Sequence, residues 1–457
     1  MAATILSRIN EATKSKFVRS AFVLVGGTAA AQALTVLALP ILTRLYSPEQ
    51  FDALAVYVAI LSMIQVLACM RLDIAIPLPT TDGQAANVLA LALLSAVSVA
   101  AVVGGLLLVF GSALFTAIDQ PELQQNGWLL PFGIWLAGSY AALQFWNTRK
   151  SRFPAIARTR LAQAGTGLTA QLGLAGLGAG AIGLMFGHAL MAGAGVASLA
   201  RQVWKQDRSA VGQVTPKRMW YALGRYRRFP LYSTWDALAN NAAIQLPVLI
   251  IAALAVGPEA GFVLLAARAV GTPVTLIGGS LAQVYVSQAA DQRREGRLGQ
   301  FTGQIVQGLC KVGIGPLVFL AVVAPSAFAI VFGEEWRRAG ELVAWMTPWF
   351  LLKLLSSPIS NVMHVLAMQR AMLFLMVTGL VIRVGITLLA YHFDPNFIAE
   401  GYALSGAAFY AIAFVVYVSV SGAGWKVLRD LMTAAVLTVP LAIAAGFIAN
   451  FLLSRIF

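Results

Sequence analysis

Apolar runs of about 20 residues recur along nearly the whole chain, and no other feature limits its possible folds as strongly. A helix needs roughly 20 apolar residues to cross a bilayer. Of the 457 residues, 59% are apolar and 11% are charged, whereas soluble domains carry about 25% charged residues. No soluble fold hides that much apolar surface. The sequence therefore predicts an all-α polytopic membrane protein.

The apolar runs form two sets of six and one extra run, with a polar, basic stretch between the sets. The first set lies near residues 18–42, 52–70, 85–110, 128–147, 161–180 and 183–200, and the other runs lie near 231–256, 261–287, 304–332, 342–367, 371–392, 399–421 and 431–453. We predict 12 to 14 transmembrane helices and divide the chain into four segments. These are an N-terminal six-helix lobe (1–203), a cytoplasmic amphipathic connector (204–229), a C-terminal six-helix lobe (230–430) and an additional C-terminal transmembrane helix (431–457).

The chain has a net charge of +14, and its basic residues lie in the loops between the apolar runs rather than on the face of a soluble domain. Alternate loops are rich in Lys and Arg, and the loops between them run acidic, which is the positive-inside pattern. The predicted inner loops hold Arg149, Lys150, Arg152, Arg158, Arg160 and the cations of the connector; the predicted outer loops hold Glu49, Asp52, Glu259, Glu334 and Glu335, with Arg44, Arg337 and Arg338 as basic exceptions. We predict a cytoplasmic N-terminus, contact with membrane lipids and no nucleic-acid partner.

Residue patterns that carry catalysis or bind metals are missing from the sequence. His188, His364 and His392 lie in different segments at no metal-ligand spacing, and Cys69 and Cys310 lie inside apolar runs. The chain has no phosphate-cradling P-loop, nucleophile elbow or HExxH motif. We predict that it is not an enzyme and needs no metal or cofactor.

Three cations lie inside apolar runs of the second half: Arg268, Lys353 and Arg383. A central cation costs roughly 2.5–3.5 kcal/mol on insertion scales. Asp236 is the only carboxylate clearly within an apolar run of that half, so it cannot neutralise all three; it is also a candidate for ion coupling. A wet cavity or an anionic substrate would stabilise the cations, whereas snorkelling or a hydrogen bond between helices is the alternative for each.

Polar side chains also recur at helical spacing in several runs, which indicates helix faces that do not meet lipid. The runs of this kind contain Thr28, Gln32 and Thr35; Ser233, Asp236 and Asn240; Arg268, Thr272 and Thr275; and Lys353, Ser357, Ser360, Asn361 and His364. From them we predict a cavity lining of Gln32, Asn240, Thr272, Ser357, Asn361 and His364.

Several motifs together resemble one family. They are the stretch from Thr43 to Phe51, the sequence Arg71-Leu72-Asp73-Ile74-Ala75-Ile76-Pro77, the sequence Arg228-Phe229-Pro230-Leu231-Tyr232-Ser233, and Phe332-Gly333-Glu334-Glu335-Trp336. The chain resembles polysaccharide-export flippases, the Wzx-type members of the multidrug/oligosaccharidyl-lipid/polysaccharide exporter superfamily. Asp52 departs from the Gly that this family commonly has after the Phe.

The resemblance implies a V-shaped pair of six-helix lobes that alternate between inward-open and outward-open states in a bacterial inner membrane. It implies a flippase for undecaprenyl-pyrophosphate-linked oligosaccharide, such as an O-antigen, capsule or exopolysaccharide repeat. Glycan polymerases and glycosyltransferases of the same pathway would be its partners. The three intramembrane cations would attract the pyrophosphate.

Three alternatives stay open. A multidrug or small-molecule exporter of the same superfamily would need carboxylates or aromatic residues for a cationic substrate. A major-facilitator transporter would need a Gly- and Asp/Arg-containing loop, which the stretch 71–84 does not have. A scaffold for glycan assembly would carry no substrate.

Overall fold

The computed structural model describes residue 23, residues 25–366 and residues 368–456, and within these residues its regular structure is helical, without strands. The helices are α1 (Val25–Leu45), α2 (Pro48–Ala68), α3 (Leu72–Ala75), α4 (Asp82–Ala117), α5 (Pro121–Asn126), α6 (Leu129–Arg149), α7 (Phe153–Gly176), α8 (Ala181–Gly193), α9 (Val196–Gln206), α10 (Arg208–Val211), α11 (Pro216–Tyr226), α12 (Thr234–Leu254), α13 (Glu259–Ala266), α14 (Thr272–Arg294), α15 (Leu298–Phe332), α16 (Arg337–Ile359), α17 (Val362–Val365), α18 (Gln369–Phe393), α19 (Ile398–Ser421) and α20 (Trp425–Ile456). The prediction of an all-α fold is confirmed.

Ten helical segments within the described residues are long and apolar enough to cross a membrane. The longest, α4, has 36 residues and is about 54 Å long at 1.5 Å per residue. Leu108 of this helix is 90% exposed in the isolated chain, as expected for a side chain that faces lipid. A shorter apolar stretch, Thr438–Leu453, lies within α20. The protein is therefore a multi-pass membrane protein.

Two predicted runs form helices that are less apolar than these ten. Helix α6 fills the fourth run, and α7 fills the fifth but begins at Phe153, earlier than predicted. Its first half carries Arg158 and Arg160, which explains why the apolar pattern starts only later. Helix α7 ends at Gly176, just before Gly178 adopts a left-handed conformation.

The described residues belong to two compact units. The first contains those up to residue 38 and residues 57–241, and the second contains residues 39–56 and those from 242 onward. In the first unit, Leu72, Leu89, Trp146 and Leu199 belong to one buried core, and Ala222 of α11 joins them. The connector helix α11 thus packs on the first unit, while Trp220 on its other side is 77% exposed.

In the second unit, the buried Trp336 joins the start of α2 to the 3₁₀ turn before α16. Its indole N–H donates to the carbonyl of Thr43 at 3.1 Å, and its ring meets Phe51 edge-on at 4.8 Å. Asp52 accepts a hydrogen bond from the Gly261 amide at 3.1 Å. Asp52, where the chain departs from the family pattern, therefore links the start of α2 to the start of α13.

Two helices change their hydrogen bonding at proline. Phe229–Ser233 and Ala267–Gly271 form π-helical turns, with Pro230 in the first and Pro273 just after the second. Proline has no N–H and its ring clashes with the carbonyl four residues earlier, so the chain widens locally. A wider turn shifts the side chains that precede it relative to those that follow.

Candidate functional site

Arg268 lies in the π-helical turn between α13 and α14 and is partly buried. Single π-turns inside α-helices are frequent at functional sites. The turn precedes Thr272, which is also partly buried, so the predicted polar face begins at a widened part of the helix. Within the described residues, no carboxylate lies within ion-pair distance of Arg268.

Lys353 of α16 reaches across to α14. Its ammonium donates to Thr275 Oγ1 at 2.9 Å, and the same hydroxyl donates to the carbonyl of Gly271 at 2.8 Å. Arg268 lies seven residues before Thr275 in the sequence, about 10 Å along the helix axis and two turns away. The π-helical turn that contains Arg268 separates the two residues, so they belong to one helical segment that is wider at Arg268.

Arg383 of α18 is 5% exposed and sits among aromatic rings. Its guanidinium carbon lies 4.7 Å from the ring centre of Phe409, 5.6 Å from that of Tyr410 and 5.8 Å from that of Trp349. Such faces attract a cation, which stabilises the charge without a carboxylate. The Nε atom of Arg383 is buried and has no hydrogen-bond partner among the described residues. We call this group the Arg383 aromatic cage.

Two glycines leave room for the cage. A Cβ at Gly379 would lie 2.4 Å from the Phe409 ring, and a Cβ at Gly406 would lie 2.3 Å from the Trp349 indole. Both distances are below any van der Waals contact. The absence of side chains at these positions therefore sets the aromatic rings against Arg383.

Lys353 lies one helical turn after Trp349, whose ring centre is 5.8 Å from the guanidinium carbon of Arg383, so the two cations belong to one part of the second unit. Like charges near each other in a medium of low dielectric raise the energy of both. The second unit has carboxylates elsewhere: Arg338 bonds to Glu259, Glu341 and Glu400. In the described part of this unit, none of its ion pairs includes Arg268, Lys353 or Arg383.

The other predicted lining residues fall into both units. Gln32, Asp236 and Asn240 belong to the first unit and are exposed; Thr272, Ser357, Asn361 and His364 belong to the second. Helix α16 ends at Ile359, after Pro358, so Asn361 lies in a turn and His364 in the short helix α17. The predicted polar stripe from Lys353 to His364 is therefore not one continuous helix face, because the helix ends inside it.

Sequence reasoning missed the Arg383 aromatic cage and the ion pairs of Arg337 and Arg338, two residues of a predicted outer loop. Trp349 lies four residues before Lys353 on α16, a spacing that places both on one side of the helix. From the sequence alone, that spacing could have indicated an aromatic ring on the same side of α16 as a cation. The approach of Phe409 and Tyr410 from α19 depends on tertiary packing and left no local pattern.

Comparison with solved structures defines the fold. Lipid II flippase MurJ in an inward-closed conformation matches with a TM-score of 0.70 at 11% identity, covering 95% of this chain and 98% of that one. An inward-facing multidrug resistance MATE family transporter of the MOP superfamily matches with a TM-score of 0.61 at 15% identity, covering 86% and 95%. A MOP superfamily transporter from Pyrococcus furiosus, described as having a binding pocket of reverse polarity, matches with a TM-score of 0.55 at 14% identity, covering 89% and 96%. No protein with a curated description matches the chain in sequence.

These matches place the chain among proteins with the fold of MOP-superfamily membrane transporters. The chain belongs to the polysaccharide biosynthesis protein family, whose model matches residues 41–341. The predicted resemblance to a polysaccharide family is thereby confirmed.

Proposed function

We propose that this protein flips undecaprenyl-pyrophosphate-linked oligosaccharide from the cytoplasmic to the outer leaflet of the bacterial inner membrane. The observation that carries the proposal is the set of three cations in the second unit, Arg268, Lys353 and Arg383, without a carboxylate partner among the described residues. Membership in a polysaccharide biosynthesis family favours a glycan cargo over a drug. The protein acts as a transporter, without catalysis, by alternating access.

The cations suit a pyrophosphate for a physical reason. Lys353 and Arg383 carry like charges and have no carboxylate partner among the described residues, so a multiply charged anion that comes near stabilises both. Arg268 and Lys353 donate hydrogen bonds to the phosphate oxygens. Arg383, enclosed by its aromatic cage, contributes its charge at short range and holds the surrounding helices in place.

The remaining parts of the substrate follow from its chemistry. The polyprenyl tail stays in lipid, and polar residues of the lining bond to sugar hydroxyls. Asp236, exposed in the first turn of α12, exchanges the coupling ion. Glycosyltransferases supply the lipid-linked glycan on the cytoplasmic side, where the N-terminus lies. A polymerase uses the glycan on the opposite side of the membrane.

The test is translocation by the full chain in reconstituted vesicles. Arg268→Glu and Lys353→Glu should insert normally and flip the lipid-linked glycan at a small fraction of the wild-type rate. Arg294→Glu is the matched control, because Arg294 lies at the exposed end of α14 and pairs only with Asp291 among the described residues. Normal flipping by both reversed variants would refute the proposed site. A normal rate for Asp236→Asn under an ion gradient would refute the coupling role of Asp236.

A further inference from the structure

A second polar site lies within the first unit, where α2 ends and α3 begins. A cavity of about 300 Å³ is lined by Ser62, Gln65, Cys69, Arg71, Asp73 and Asn241. All six belong to the first unit. The cations discussed above belong to the second, so this cavity is a different site.

The turn that holds the cavity is strained. Met70 and Arg71 adopt φ angles of 46° and 57°, a left-handed conformation that residues with a side chain seldom take. Strain of this kind clusters at ligand-binding sites, where the surrounding structure maintains it. Here the turn places Arg71 immediately before the four-residue helix α3, with Asp73 in that helix.

Several polar groups around the cavity lack protein partners. The Nε atom of Arg71 is buried with no hydrogen-bond partner among the described residues. Ser62 and Gln65 make no side-chain hydrogen bond in the described part of the chain. Cys69 is different, because its thiol donates to the carbonyl of Gly138 at 3.2 Å. The free groups therefore point to a ligand rather than to internal packing.

The charges of the cavity select the class of ligand. Asp73 is 8% exposed and Arg71 lies near it, although the two are not within ion-pair distance in the described structure. The carboxylate of Asp73 repels an anionic ligand, and the guanidinium of Arg71 repels a cationic ligand. A neutral ligand with adjacent hydroxyls satisfies both, because each hydroxyl donates to Asp73 and accepts from Arg71. Asn241 uses its amide N–H for the carbonyl of Ala237, which leaves its oxygen as an acceptor.

We propose that this cavity binds one neutral hexose of the lipid-linked glycan. The volume is at the lower end of the range of about 300–1,000 Å³ for small-molecule sites, which suits a single sugar ring. Ser62 and Gln65 add neutral donors and acceptors for the other hydroxyls. The inference rests on the proposed function for the nature of the cargo, and it assigns sugar recognition to a site separate from the cations.

The experiment compares two ligands across matched variants of the full protein in nanodiscs. The ligands are undecaprenyl pyrophosphate alone and the same lipid carrying one neutral hexose. Ser62→Ala and Gln65→Leu should weaken binding of the hexose-bearing lipid about three- to tenfold and leave the bare lipid unchanged, as expected for the loss of one neutral hydrogen bond. Ser95→Ala is the control, since Ser95 of the same unit donates to the carbonyl of Ala68 and does not line the cavity.

Each arm has a defined consequence. Equal weakening for both lipids, or no weakening for either, overturns the sugar site. Arg268→Gln should weaken both lipids equally. If Arg268→Gln affects neither lipid while the Ser62 and Gln65 variants behave as expected, the cationic site of the proposed function fails and the sugar site stands.

Discussion

At the scale of single residues, the cations of the protein differ in whether they have a carboxylate partner. Arg338 and Arg152 bond to carboxylates: Arg338 to Glu259 and Glu400, and Arg152 to both oxygens of Asp207 at 2.6 and 2.9 Å. Arg268 has no such partner among the described residues. A cation without a counter-ion in an apolar segment is retained at a cost, which is the reason to assign it a ligand.

Asp207 gives a prediction about pH. Burial would raise the pKa of Asp207, but hydrogen bonds from Arg152 and Trp146 outweigh it and hold the pKa below its usual value. The resulting stability is fully present above the unfolded-state pKa of about 3.9 and is lost as the pH falls through the lower, folded-state pKa. Asp207→Asn should therefore lower the free energy of unfolding at pH 7 by about 2–3 kcal/mol, somewhat less than for a fully buried pair, because Arg152 is 19% exposed.

Thermal unfolding of the purified protein in detergent measures this effect. The gap between wild type and Asp207→Asn should be constant from pH 6 to 8 and should shrink below about pH 4. A gap that does not change with pH would mean that the asparagine acts through packing instead of charge.

At the scale of elements, glycines decide how closely helices approach the site. Gly379 and Gly385 both lie in α18, but a Cβ at Gly379 would lie 2.4 Å from Phe409, whereas a Cβ at Gly385 would meet nothing within 4 Å. The first glycine therefore maintains the Arg383 aromatic cage, and the second does not.

This pair gives a matched prediction. Gly379→Ala should destabilise the protein by about 1–3 kcal/mol through overpacking and should lower the flipping rate, because Phe409 must move away from Arg383. Gly385→Ala should leave flipping unchanged and should leave stability unchanged or raise it by up to about 1 kcal/mol, since Ala favours a helix over Gly. Unfolding midpoints and vesicle assays check both; equal behaviour of the two variants would contradict the role of the cage.

The same scale shows where sequence reasoning succeeds. The apolar runs predicted the helices because a 20-residue apolar pattern is a local property. The π-turn at Arg268 and the end of α16 at Ile359 depend on how Pro273 and Pro358 fit among neighbouring helices. The regular spacing of polar residues does not reveal such local changes of helix geometry. The polar residues from Lys353 to His364 were therefore predicted to share one helix face.

At the scale of the whole molecule, the distribution of charge predicts its orientation. Of 32 Lys and Arg residues, many cluster in the connector and the predicted inner loops. Three of these cations, Arg149, Lys150 and Arg152, pair with Asp82 and Asp207. The pairs fix these loops within the first unit.

Cysteine labelling tests the orientation. Ser209 lies in α10, within the connector, and Asn396 lies in the turn before α19; both positions are exposed and are changed to Cys one at a time. The native Cys69 and Cys310 are each 3% exposed, so background labelling should be small. An impermeant maleimide should label Asn396→Cys in intact cells and Ser209→Cys only after the inner face is opened. The reverse pattern would contradict a cytoplasmic N-terminus.

The central claim is that cations of the second unit without a carboxylate partner among the described residues bind a pyrophosphate. The most direct measurement compares the affinity of the full protein in nanodiscs for undecaprenyl alcohol, monophosphate and pyrophosphate. Wild type should bind the pyrophosphate most tightly, and Arg268→Gln/Lys353→Gln should lose about tenfold or more of that preference, because each charge-assisted hydrogen bond contributes about 1.5–3 kcal/mol. If the double variant keeps the wild-type order and spacing of the three affinities, the cations do not bind the pyrophosphate.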